Sequence, residues 1–75
     1  MNQEIEEKSG NNIRILREAA GLTQEQLAAQ LQVNGCDITR SALAKIEVGQ
    51  RHLYPDEIRL LKLLLKVEYD VIFHI

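Results

Sequence analysis

Seventy-five residues at net charge −2, 45% of them apolar and only three aromatic, fit one small aliphatic-cored domain and exclude both two domains and a disordered chain. The lone Cys36 rules out an internal disulfide framework, no apolar run reaches membrane-spanning length, and Met1-Asn2-Gln3-Glu4 lacks a basic-then-apolar leader, so the expectation is a cytoplasmic chain with no membrane partner. His52, His74 and Cys36 lack metal-ligand spacing, and no nucleophile–base pair or glycine-rich phosphate loop is present, so no metal, cofactor or catalysis is expected.

Residues 1–9 are polar and acidic, which predicts a tail or a helical extension ahead of a domain at 10–75. Ser9 or Gly10 is the expected start of the first helix, whose Ile13, Leu16 and Ala20 recur at helical spacing and which stops before Gly21. Thr23 is the expected N-cap of a second helix, with Gln26 three residues on to complete a capping box, and Leu27, Ala28 and Leu31 form its inward stripe. Val33 to Ile38 breaks the periodicity, and Asn34-Gly35 is a turn signal. Thr39 then caps a third helix running to Glu47 or Val48, with Ala42, Leu43 and Ile46 inward and Gly49 at its end. Pro55, Asp56 and Glu57 open a fourth helix to about Lys66, with core stripe Ile58, Leu61 and Leu65, and a short last turn runs from Tyr69 or Asp70 through Phe73.

The expected fold class is therefore all-α, a compact five-helix domain. Its second and third helices read as a helix-turn-helix unit joined by a lengthened turn, which sets a short helix with a polar amino end on the surface of a small core. A helix so placed can enter a DNA major groove. Net charge opposes that reading, but its distribution does not. The negative excess lies in Glu4, Glu6 and Glu7 against Lys8, whereas Arg40, Lys45 and Arg51 face only Glu47 between residues 38 and 52.

Leu22-Thr23-Gln24-Glu25-Gln26-Leu27-Ala28 followed by Lys45-Ile46-Glu47-Val48-Gly49-Gln50-Arg51 resembles the Cro and phage-repressor family of helix-turn-helix proteins, the xenobiotic-response-element type, over about residues 10–73. The resemblance implies a five-helix fold, a salt bridge between Arg17 and Glu47 behind the motif, and a backbone contact at Gln24. It departs from the family in the turn, where seven residues, Gln32 to Ile38, separate Leu31 from Thr39.

With Leu43 and Ile46 inward, Arg40, Ser41, Ala44 and Lys45 are the expected base contacts. Arginine or lysine suits guanine, and alanine a thymine methyl. Gln24, Thr39, Gln50 and Arg51 are the expected phosphate contacts. Leu60, Leu63 and Leu64 widen the apolar face of the fourth helix, and with Phe73 they are the expected dimer interface. The function these readings support is a sequence-specific regulator of double-stranded DNA, binding as a homodimer. The alternative is a protein-interaction module of the same fold, antitoxin-like or regulator-binding, which the low positive charge favours.

Overall fold

The computed structural model describes residues 3–74, which form five α-helices and no strand: α1 (Gln3–Ala19), α2 (Gln24–Val33), α3 (Arg40–Glu47), α4 (Pro55–Leu65) and α5 (Tyr69–Ile72). The core is aliphatic and draws on every helix and on the connections, with Ile13, Leu27, Leu31, Ile38, Leu43, Leu61 and Ile72 fully buried. Packing of α3 against α1 and α2 fixes its place, and α5 closes over α1.

The first helix differs from expectation at its start. It begins at Gln3, not at Ser9 or Gly10. Its buried face runs Glu6, Ser9, Gly10, Ile13 and Arg17, a continuous stripe at helical spacing, so residues 3–9 are held by packing. Gly10 is where α1 and α3 nearly touch: a Cβ there would lie 2.1 Å from the Ile46 carbonyl oxygen. Only glycine admits so close a crossing.

The lengthened turn is solved by a helix extension and a braced connection. Helix α2 continues to Val33 and closes with Gly35 at φ +86°, the Cys36 amide donating to the Leu31 carbonyl and the Gly35 amide to that of Gln32. This is the Schellman arrangement, in which a left-handed glycine lets the chain turn back over the last carbonyls. Cys36 and Ile38 then plug into the core, the Ile38 amide bonds the Cys36 carbonyl, and Gln32 Nε2 donates to the Ile38 carbonyl at 2.9 Å. Asp37 is left at the exposed apex. The connection is thus ordered by backbone and side-chain bonds immediately ahead of α3.

Local capping matches the sequence closely. Thr23 Oγ1 accepts from the Gln26 amide while Gln26 Oε1 accepts from the Thr23 amide, a reciprocal box. Thr39 Oγ1 accepts from the Ala42 amide. At α4, Pro55 sits in the first turn and Glu57 Oε1 accepts from the Tyr54 amide. Lys66, at φ 59°, ends α4 in the left-handed region without a glycine.

Candidate nucleic-acid interface

Three helices meet at one carboxylate. Glu47, 1% exposed in its side chain, accepts from Arg17 Nε at 2.7 Å and Nη2 at 3.1 Å, and from Gln24 Nε2 at 3.0 Å. Arg17 Nη1 also donates to the Leu22 carbonyl at 2.8 Å. The hydrogen bond to Glu47 raises the already high Arg17 pKa against the opposing effect of burial. A two-pronged, fully partnered pair of this kind fixes orientation more than it adds net stability. It sets the angle of α3 relative to the end of α1 and the start of α2.

On the outer side of α3 lie the residues expected to read bases. Arg40, Ser41 and Lys45 are exposed and Ala44 is half-buried, while Leu43, Ile46 and Glu47 point inward. Arg40, Ser41 and Lys45 make no side-chain hydrogen bond or ion pair among the described residues. Arg40 borders a shallow polar cleft with Arg17, Leu22, Thr23, Gln24 and Glu25, where the amino ends of α2 and α3 come together. At 100° per residue, Val48 continues the outward stripe of Ser41, Ala44 and Lys45, and it is 57% exposed. Sequence reasoning weighed it only as a possible last residue of the helix.

The residues expected to hold phosphate divide into two groups. Thr39 spends an oxygen lone pair on its cap and keeps a hydroxyl proton to donate, and Gln50 is exposed. Gln24, in contrast, turns its amide nitrogen inward to Glu47, leaving the backbone amides at the start of α2 as its outward donors. Arg51 already has its guanidinium engaged within the fold. Nη1 and Nη2 donate to Glu57 Oε1 and Oε2 at 2.9 and 3.0 Å, Nη1 also to the His52 carbonyl, and the group lies over the Tyr54 ring. Burial pushes the Glu57 carboxyl up, but bonds from Arg51 and the Tyr54 amide outweigh it and hold the pKa below the ordinary value. No helical period links Arg51 to Glu57 across the loop, so the pair was not legible.

The carboxy end of α3 is bound to the start of α1, also unforeseen. Gln3 Nε2 donates to the Gly49 carbonyl at 3.1 Å, the buried Glu6 carboxylate meets His52 Nδ1, and a Cβ on Gly49 would lie 2.8 Å from Glu7 Cα. Extending the Ile13 and Arg17 stripe backwards by threes and fours reaches Gly10, Ser9 and Glu6, the one signal that could have found this contact.

Of the four leucine-rich tail residues, Leu60, Leu64 and Phe73 are half-buried against the core of their own chain, and Leu63 alone is exposed, at 52%. The stretch is widened by the needs of this small core rather than left bare. Asn12 Nδ2 holds the end of the chain by donating to the carbonyls of Ile72 and His74. Among the described residues there is no group of three or more His, Cys, Asp or Glu side chains arranged to hold a metal, and no helix long and apolar enough to cross a membrane.

A family model described as helix-turn-helix matches residues 13–72. Neither the curated proteins nor the solved structures yielded a match.

Proposed function

Since the chain belongs to the Cro and phage-repressor helix-turn-helix family, a family of DNA-binding transcription regulators, we propose that it recognises a specific double-stranded DNA sequence with α3 in the major groove. The observation that carries this reading is the state of the outward face of α3. Arg40, Ser41 and Lys45 are exposed and uncommitted on a helix whose opposite face is locked by the Arg17–Glu47–Gln24 cluster. An exposed arginine at a helix start gains nothing from the local dipole, whose positive end lies there. Its placement makes sense if guanine is its partner.

In this reading Arg40 and Lys45 grip base edges, Ser41 bonds a base or a phosphate, and Ala44 touches a thymine methyl. Thr39, Gln50 and the amides opening α2 take phosphates. The protein works as a homodimer on two half-sites about one DNA turn apart. Exposed Leu63 and the partly open groove of Ile15, Leu16 and Val71 between α1 and α5 supply apolar surface for that contact. The same groove keeps a second reading in play, in which a partner protein occupies it.

Selection of bound fragments from a genomic library with the purified protein, at low and moderate salt, tests the reading. Recovery of one inverted-repeat motif, with binding lost in an Arg40→Ala, Lys45→Ala double variant, supports it. Recovery of no enriched motif at either salt sinks it in favour of the protein-binding reading.

A further inference from the structure

The acidic start of α1 is fixed in place rather than trailing. Gln3 bonds the Gly49 carbonyl, Glu6 is buried on His52, and the Glu7 backbone abuts Gly49. These contacts hold α1 against the loop that directly follows α3, and all of them come from residues ahead of the matched segment 13–72. The three glutamates there differ in state. Glu6 is engaged with His52, and Glu4 is paired with Lys8 at 3.1 Å. Glu7 is exposed and bonds only the neutral amide of Gln3 at 3.1 Å, with no cation partner among the described residues. Arg51, the cation two residues past Gly49 in the chain, is taken by Glu57. A carboxylate without a cation partner among the described residues therefore lies beside the carboxy end of α3.

We infer that Glu7 sets the DNA affinity of this protein by repulsion. The inference rests on the reading that α3 docks in the groove, because the loop after α3 then faces one strand's phosphates. A fixed carboxylate within about a Debye length of those phosphates, roughly 10 Å at 0.1 M salt, opposes binding to any sequence. Phosphate contact then rests on the amino ends of α2 and α3, with the neutral Gln50 as the one phosphate donor proposed beyond α3. Weak contact on one flank makes a lone domain a poor binder and leaves tight binding to paired half-sites.

The test is a titration of a random-sequence duplex by fluorescence anisotropy at several salt concentrations. It compares the wild-type chain with Glu7→Gln, Glu7→Lys and Glu68→Lys, the last making the same charge change as Glu7→Lys at the α4–α5 junction. Glu7→Gln is expected to tighten binding about two- to fivefold at low salt. Glu7→Lys should tighten it further and steepen the salt dependence by about one ion released. Glu68→Lys should stay within about twofold of wild type. Equal behaviour of Glu7→Lys and Glu68→Lys overturns the inference while leaving DNA recognition intact. Absence of duplex binding by both the wild type and Glu7→Lys overturns the inference, and the reading beneath it falls with it only if genomic selection also enriches no motif.

Discussion

The two ends of α3 carry similar residues and opposite assignments. At the amino end Arg40 and Ser41 stand free, as does Lys45 one turn on. At the carboxy end Glu47 is tied to Arg17 and Gln24, Arg51 to Glu57, His52 to Glu6, and Gly49 lies under α1. In sequence, Arg40 and Arg51 are both basic residues flanking one short helix. Packing separates them into a residue available for a ligand and a residue spent on the fold. Exposure and commitment, not charge, divide the helix.

The contrast can be broken by variants on either side. The largest effect is expected from Glu47→Ala, which strands the buried Arg17 guanidinium. A loss of about 3–5 kcal/mol in urea unfolding follows from removing one member of a buried pair, and a loss under about 1 kcal/mol would mean that the cluster does not hold the helix angle. Gly10→Ala comes next, because its Cβ would collide with the backbone oxygen of Ile46 and no side chain can yield. Separation of α1 from α3 should cost at least about 1–3 kcal/mol, read as a lower midpoint of thermal unfolding.

Those two sites show how far the sequence was legible. Arg17–Glu47 was reachable because the family resemblance pairs the positions, and the caps at Thr23 and Thr39 because capping is a local matter of three residues. Gly10 read as a helix start, since a glycine in a polar stretch gives no hint that another helix crosses there. Glu6 and Ser9, both buried, hid the first turns of α1 because the inward face is polar where hydrophobic periodicity looks for apolar side chains. Gln24 turned inward and Arg51 turned to Glu57 through contacts between elements, which have no period. The outward residues of α3 were legible because the buried positions of one helix define the exposed ones.

Smaller effects sharpen the contrast. Arg51→Ala should cost about 1–2 kcal/mol of stability, a figure reduced for the partial exposure of the pair. The pair also imprints a pH dependence. Because the Glu57 carboxyl is held below its ordinary value, its contribution is present in full above the unfolded pKa, about 4.3, and is lost as pH falls through the folded one. Urea midpoints measured from pH 6 down to pH 3 should therefore fall more steeply for the wild type than for Arg51→Ala. Parallel acid limbs would show that the pair contributes nothing.

The most direct measurement sets Arg40→Ala beside Arg51→Ala in one experiment on the selected operator, recording duplex affinity and unfolding midpoint for each. Arg40→Ala is expected to lose about 1–3 kcal/mol of binding with its unfolding midpoint unchanged, and Arg51→Ala to lose stability while its folded fraction binds as the wild type does. Loss of operator affinity in folded Arg51→Ala, with Arg40→Ala binding normally, would contradict the division of α3 into a reading end and a structural end.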